Sequence, residues 1–293
     1  MKRIREITSA SSCLESTPPP ATTFKLSPTL PHPHLHRAYR TLPVASYFSP
    51  IGHQHGYRMS LPPMSISQSR VIFIIAAAAL LLHTQLFIPW LSEAAGIEII
   101  VSWFLCAGLG VFLPLLIAAW VLLEREGPLR PSIWRERLRF RAMNREDWMW
   151  TLGGVLAIGT LSMVIMKLIE AFAGAVHTQP PFMRFEVLGP GRYWILLAWL
   201  PFWLLNIMGE EILWRGVMLP RMEEGIGSHA WLHHALGWTV FHVAFGWQLL
   251  LTLLPILFIL PFIVQRRANS WIGVIIHAVL NGPAFVLIAL GVI

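Results

Sequence analysis

Charged residues are scarce in this sequence. They make up 13% of its 293 residues, against about one quarter in ordinary soluble domains. Hydrophobic residues make up 55%, and the mean hydropathy is +0.60. This composition excludes a disordered protein, a collagen-like repeat and an ordinary soluble enzyme, and it indicates a polytopic membrane protein.

Cysteine is nearly absent, and so are the common catalytic motifs. The two cysteines are Cys13, in a Pro-rich segment, and Cys106, inside an apolar run. They define neither a disulfide framework nor a metal knuckle. The sequence contains no HExxH, no GxSxG, no P-loop and no Gly-rich dinucleotide fingerprint, so the chemistry that these motifs carry is not predicted.

Acidic residues are especially rare at the N-terminus. Residues 1–70 contain 8 Lys or Arg and 2 Glu, so +6 of the net charge of +7 lies there. The basic residues stand in a tail and not on one folded face, so we predict no nucleic-acid partner.

Residues 1–69 differ in composition from the rest of the chain. They hold 10 of the 22 prolines and 5 of the 12 histidines, without a sustained apolar period. We predict a disordered tail, because such a segment buries too little surface to offset its ordering entropy. A solvated tract fits this composition; an organelle transit peptide and an over-extended gene model, with translation beginning at Met59 or Met64, fit it as well.

Residues 70–293 form the second part, in which apolar runs recur. Each run approaches the roughly 20 residues that a helix needs to cross a bilayer, and none alternates as a barrel strand would. We predict an all-α membrane bundle of about seven transmembrane helices. The runs are 71–91, 97–123, 148–173, 193–214, 230–247, 249–264 and 271–292.

Arginine is distributed unevenly over the connections between these runs. The loop at 124–147 contains seven arginines, whereas the loop around Glu93 and Glu98 has no Lys or Arg. Because Lys and Arg favour the cytoplasmic side, we predict a cytoplasmic N-terminus and an external C-terminus. The connection at 246–248 is too short for its geometry to be predicted.

Several polar residues interrupt the last apolar runs. An ionisable side chain inside a spanning helix is costly, so each is a functional candidate. Span four contains Asn206, Glu210, Glu211 and Arg215; span five contains His233, His234 and His242; span seven contains His277 and Asn281.

The two adjacent glutamates should have different partners, because neighbouring helical residues point about 100° apart. Glu211 and Arg215 are four residues apart, in the favourable order for a helical ion pair. This pair fits a structural role as well as a catalytic one. Glu210 has no such partner in its own helix and therefore suits a general base that meets a residue of another span.

Two histidines are candidates for that partner, namely His242 and His277. His277 and Asn281 are four residues apart, so both project from one face of span seven. Both side chains can donate hydrogen bonds, and two convergent donors can stabilise an oxyanion. His242 follows Trp238 by one turn, so this aromatic ring is expected to wall the site.

The polar residues form three spaced motifs in order, which are Glu210-Glu211-x-x-x-Arg215, Trp238-x-x-x-His242 and His277-x-x-x-Asn281. This set resembles the CPBP family of CAAX proteases and bacteriocin-processing enzymes, also called the Abi family, with the pattern EExxxR, FxxxH and Hxxx(N/D) on successive membrane helices. The motifs cover residues 210–281. Trp238 stands where the family usually has Phe, a departure expected to alter pocket shape more than chemistry.

The resemblance implies an intramembrane endopeptidase. Carried over residue by residue, Glu210 and His242 would activate the attacking water, and His277 and Asn281 would stabilise the oxyanion. Glu211 and Arg215 would orient the site, with Glu211 as a second acid or base.

The resemblance leaves the metal question open. In a metalloprotease version, Glu210, His242 and His277 would be the ligands of a zinc ion, with a fourth position for water. In a glutamate-dependent version no metal takes part.

The substrate is open as well. The resemblance allows removal of a C-terminal tripeptide from prenylated proteins, cleavage of a leader peptide, or immunity to a bacteriocin-like peptide. Membrane lipids would surround the bundle. Two alternatives remain: a transporter in which Glu210, His242 and His277 relay protons or cations, and a catalytically inactive scaffold or immunity protein.

Overall fold

The computed structural model of the protein describes residues 61–127, 130–174, 179–183 and 186–292. Most of the predicted tail, residues 1–60, lies outside the described residues. The last part of that tail is helical, because the first helix begins at Ile66 and not at residue 70.

The described residues fold into helices without a strand, which confirms the predicted all-α class. The helices are α1 Ile66–Leu82, α2 Ile88–Ala95, α3 Ile99–Ala107, α4 Leu113–Arg125, α5 Pro131–Arg137, α6 Arg145–Ala173, α7 Trp194–Glu210, α8 Leu219–Ile226, α9 Ala230–Phe241, α10 Trp247–Arg267 and α11 Ser270–Ala289. Three π-helical segments connect helices without a loop, at His83–Phe87, Gly108–Phe112 and Glu211–Met218.

Six helical segments are long and apolar enough to cross a membrane. They are Ile66–Ala95, Ile99–Arg125, Arg145–Ala173, Trp194–Phe245, Trp247–Arg267 and Ser270–Ala289. The fourth contains both predicted spans four and five, which are separated at Gly227, a residue with a positive φ of 70°. The prediction of about seven membrane helices is therefore confirmed.

Short polar side chains cap the starts of three helices, α1, α6 and α11. Ser65 caps α1 in a reciprocal capping box with Gln68, and Asn144 caps α6 in the same way with Asp147. Asn269 caps α11 by accepting from the backbone N–H of Trp271. These side chains satisfy amide groups that have no partner within the helix.

Ion pairs tie several helix ends together at one end of the bundle. Arg221, at α8, pairs with Glu126 beyond α4, and Arg139, after α5, pairs with Glu223. The start of α1 joins them, because the Met64 N–H donates to the Arg221 carbonyl over 2.8 Å. We call this region the arginine end. The basic connections that the sequence assigned to one side thus lie together.

The opposite end gathers the remaining connections. Arg192, just before α7, pairs with Glu98, just before α3. The Leu188 N–H donates to the Ala289 carbonyl, at the end of α11, over 2.9 Å. The first helix therefore begins at the arginine end, and the last helix finishes at the other end.

Candidate active site

The two adjacent glutamates lie where α7 passes into the π-helical segment Glu211–Met218. Such π-helical turns are rare and are often found at functional sites. Glu211 lies ten residues before Arg221, and His277 lies seven residues after the first residue of α11. At about 1.5 Å per helical residue, these groups lie about 10–15 Å from the arginine end.

Glu210 is held by two neutral donors. Its side chain is buried, with the residue only 2% exposed. Oε1 accepts from Nδ2 of Asn206 over 2.9 Å, and Oε2 accepts from Nε1 of Trp238 over 2.7 Å. Asn206 is one of the polar residues of span four, and the sequence alone gives it no specific role. The available signal was its position one helical turn before Glu210, inside an apolar run.

Glu211 has a different set of partners, as the angle between neighbouring residues predicts. The side chain is fully buried, and Oε1 lies 2.8 Å from Nδ1 of His277 and 3.0 Å from Nη1 of Arg215. The predicted ion pair of Glu211 and Arg215 is present. Of the two candidate partners of Glu210, His277 makes its hydrogen-bond contact with Glu211 instead, because Glu211 faces α11.

Arg215 is buried between an anion and an aromatic ring. Its Cζ lies 3.4 Å from the centroid of the Trp238 ring, in a cation–π contact. None of its three guanidinium nitrogens has an aligned hydrogen-bond partner. The contact with Glu211 is thus an ion pair by distance but not a directed hydrogen bond, and the guanidinium is held over the face of the Trp238 ring.

The contact of His242 determines its tautomer. Nδ1 lies 2.8 Å from the backbone carbonyl oxygen of Trp238. A carbonyl can only accept, so Nδ1 carries the hydrogen. The neutral ring therefore keeps a free lone pair on Nε2. Glu210 and His277 are both close enough for electrostatic interaction with this ring.

The contact of His277 with Glu211 also determines which ring nitrogen carries the hydrogen. Its Nδ1 faces the Glu211 carboxylate, so Nδ1 donates when the carboxylate is ionised. Nε2 of the neutral ring is then an acceptor, and it becomes a donor only in the doubly protonated ring. Asn281, one turn further along α11, is exposed, and its side chain makes no hydrogen bond to the cluster among the described residues.

Trp238 lies at the centre of this cluster. Its ring packs edge-on against His242 and His277, with centroids 5.3 and 5.8 Å apart, and stacks on Arg215. Tryptophan in place of phenylalanine adds a polar contact as well as changing the shape. The indole N–H donates to Glu210, and phenylalanine has no such donor.

Gly273 allows α11 to approach Glu211. A Cβ at this position would lie 2.4 Å from Oε2 of Glu211, far inside normal contact. This glycine lies outside the three sequence motifs. The signal in the sequence was its place one turn before His277, on the same face of the helix.

His234 does not belong to the carboxylate cluster. It is fully buried, and its Nε2 lies 3.2 Å from the backbone carbonyl oxygen of Trp214. Its ring packs edge-on against Phe73 of α1. Its contacts therefore join α9 to the π-helical segment and to α1.

The three residues that a zinc version would use, Glu210, His242 and His277, do not form a metal-binding group in this structure. In the part of the chain that the structure describes, no three His, Cys, Asp or Glu side chains are arranged to hold one ion. Both oxygens of Glu210 accept hydrogen bonds, and His277 is turned towards a different carboxylate, that of Glu211. No step of the proposed reaction is therefore routed through a metal.

Comparison with known proteins adds one family match. Neither the curated proteins nor the solved structures give a match to the chain. Residues 192–282, which contain the cluster from Asn206 to His277 and also Asn281, match the family model described as type II CAAX prenyl endopeptidase Rce1-like. Together with the six apolar segments, this match supports an integral, multi-pass membrane protease. It also bears out the resemblance of the three motifs to the CAAX proteases.

Proposed function

We propose that this chain is an intramembrane endopeptidase that hydrolyses a peptide bond with water activated by Glu210 and His242. One observation carries the proposal: two carboxylates, two imidazoles and a guanidinium from three parts of the chain are buried in one cluster. Gathering such groups in a low-dielectric interior is costly, so a functional reason is expected. A relay across the membrane would instead need polar groups spread along a path.

Water activation needs a base with a free lone pair. His242 offers Nε2, since Nδ1 is engaged by the Trp238 carbonyl. Glu210 also retains acceptor capacity, because each carboxylate oxygen has two lone-pair positions and only one is used by Asn206 or Trp238. The proton of the attacking water passes to one of these groups while its oxygen bonds to the carbonyl carbon.

The carbonyl electrons then move onto oxygen, and this negative charge needs donors. The Asn281 amide is a donor one turn from His277 and is open to a substrate. His277 contributes a second N–H when Nε2 is protonated, and the ring and Glu211 then form an ion pair. The proton held by the base passes to the leaving nitrogen, the C–N bond breaks, and an acid and an amine result.

Glu211 and Arg215 act by orientation. Glu211 accepts from Nδ1 of His277 and so fixes the ring that faces the substrate. A carboxylate behind a catalytic histidine fixes its tautomer and its angle in many hydrolases. Arg215 balances the charge of Glu211 at 3.0 Å. A role for Glu211 as a second acid or base belongs to the same proposal.

The substrate that we propose is a peptide or protein whose scissile bond reaches into the membrane. The match to CAAX prenyl endopeptidases favours a lipidated C-terminus, and leader peptides are the second class. The cluster lies about 10–15 Å from the arginine end, which we propose faces the cytoplasm. An extended peptide of about four residues spans that depth.

The test uses purified full-length protein in lipid nanodiscs. The probes are a farnesylated peptide ending in a CAAX sequence and the same peptide without the lipid. We expect release of the C-terminal tripeptide by wild-type protein, detected by mass spectrometry. Glu210→Gln and His242→Ala should each reduce the rate by at least about 100-fold. Glu93→Gln, at an exposed glutamate, is the matched control and should retain activity.

Substrates other than CAAX peptides are tested by comparing the N-termini of cellular proteins. One set of cells carries the wild-type protein, and the other carries the Glu210→Gln variant. Wild-type cells should show cleaved termini that the variant lacks, at equal abundance of the two proteins. If neither probe is cleaved and the two sets of termini are identical, the chain is not an endopeptidase. An inactive scaffold would keep its cellular phenotype in both variants.

A further inference from the structure

We propose that Trp238 is a positioning residue that holds the Glu210 carboxylate through its indole N–H and holds the His242 ring through its backbone carbonyl. This inference rests on the proposed function, because it names the residue that orders the two groups assigned to water activation.

The contact with Glu210 crosses between two helices. Trp238 belongs to α9 and Glu210 to α7, and their Nε1 and Oε2 atoms are 2.7 Å apart. The two residues are 1% and 2% exposed. A hydrogen bond between buried groups is electrostatically stronger than one in water, so this bond restricts rotation of the carboxylate.

The contact with His242 comes from the same residue. The backbone carbonyl of Trp238 accepts from Nδ1 of His242 over 2.8 Å. This bond assigns the hydrogen to Nδ1 and leaves the lone pair on Nε2. One residue thus sets the direction of both candidate bases.

The indole ring is itself held in place from several sides. Arg215 lies over one face at 3.4 Å, and the rings of His242 and His277 pack edge-on. A ring fixed in this way can direct its N–H at one oxygen. Phenylalanine would keep the stacking and lose the donor, leaving one buried oxygen of Glu210 without a partner.

Trp238 is buried beside the base and is expected to affect turnover more than substrate binding. We expect Trp238→Phe to lower kcat by about 10- to 100-fold and to change KM by less than about threefold, the pattern of a lost transition-state interaction. The probe is the farnesylated CAAX peptide. The matched control is Trp214→Phe, since Trp214 is fully buried and its Nε1 has no partner. Its kcat should stay within about threefold of wild type.

A spectroscopic measurement separates positioning from mere packing. Indole ¹⁵N–¹H spectra of ¹⁵N-tryptophan-labelled protein should lose one signal in Trp238→Phe, which assigns Trp238. In Glu210→Ala that signal should move upfield, away from the downfield position of an N–H bonded to a carboxylate. The Trp214 signal, assigned in the same way, should not move.

The outcomes separate this inference from the proposed function. If wild-type protein and Glu210→Gln are equally inactive towards peptides, the proposed function fails, whatever the indole spectrum shows. If Glu210→Gln abolishes cleavage but Trp238→Phe keeps its kcat, the positioning role is refuted. An unmoved Trp238 signal in Glu210→Ala also refutes it. Should Trp238→Phe fail to fold, the signal is assigned by site-specific labelling and the Glu210→Ala spectrum decides alone.

Discussion

Gly273 provides the most direct test of the cluster, because a single methyl group would displace one of its carboxylates. The Cβ of alanine at this position would lie 2.4 Å from Oε2 of Glu211, whereas ordinary contacts begin at 3.4 Å. The same carbon would lie 3.2 Å from Cγ2 of Val264 and 3.5 Å from Cγ of Arg215. The methyl group is enclosed on these sides, so Glu211 has to move by about 1 Å.

A shift of this size breaks the contact between Glu211 and His277, which is 2.8 Å long. Misplacement of a catalytic group by about 1 Å costs about 100-fold in rate, or about 2.7 kcal/mol of transition-state stabilisation. We therefore expect Gly273→Ala to lower kcat/KM by about 100-fold. The assay is cleavage of the farnesylated CAAX peptide by protein in nanodiscs.

Two glycines of α6 supply the control. Gly153 and Gly159 also lie inside a helix, and a Cβ at either position meets no atom within 4 Å. Alanine there should leave activity unchanged and raise stability by up to about 1 kcal/mol, because glycine is a poor helix former. Our reasoning would be refuted if Gly273→Ala folded and kept activity within about threefold of wild type, or if Gly159→Ala lost as much activity.

Three further predictions concern stability, orientation and metal dependence. Arg221→Met should lower the free energy of unfolding by about 3 kcal/mol in denaturant titrations, since it leaves Glu126 without its buried partner. Lys167→Met, which removes an exposed ion pair, should lower the free energy of unfolding by less than about 1 kcal/mol. In a cysteine-free background, Ser228→Cys at the arginine end should react with an impermeant maleimide only from the cytoplasmic side. Ala94→Cys, at the opposite end, should react only from outside. The reverse pattern would overturn the proposed orientation. Treatment with a strong chelator should leave peptide cleavage unchanged, because the candidate ligands do not form a metal-binding group; loss of activity that added zinc restores would contradict this.

The fold was largely predictable because membrane spans are encoded locally. Length and apolar composition identify a spanning helix without knowledge of its neighbours, and the six apolar segments cover all seven predicted runs. The start of α1 was misplaced, because the capping box of Ser65 and Gln68 lies in a polar stretch that reads as part of the tail. The helix of span four continues past residue 214 through a π-helical segment and α8, which periodicity does not reveal.

The candidate site was predictable in its membership but not in its pairings. The cost of a charge in an apolar helix identified Glu210, Glu211 and Arg215. Their spacing gave the Glu211–Arg215 pair, since both lie on one helix. The spacing could not show which glutamate meets His277, because that contact joins residues 66 positions apart.

The amino-acid sequence by itself determined that this is a helical membrane bundle with a cluster of ionisable residues in its last third. Helix formation and hydrophobicity depend on neighbouring residues, and the chemistry of a side chain is the same wherever it is placed. Only the tertiary structure decided that His277 bonds to Glu211, that Asn206 and Trp238 hold Glu210, and that Gly273 leaves space for a carboxylate. Those contacts follow from how α7, α9 and α11 pack against one another, and packing between distant segments is not encoded in any local pattern.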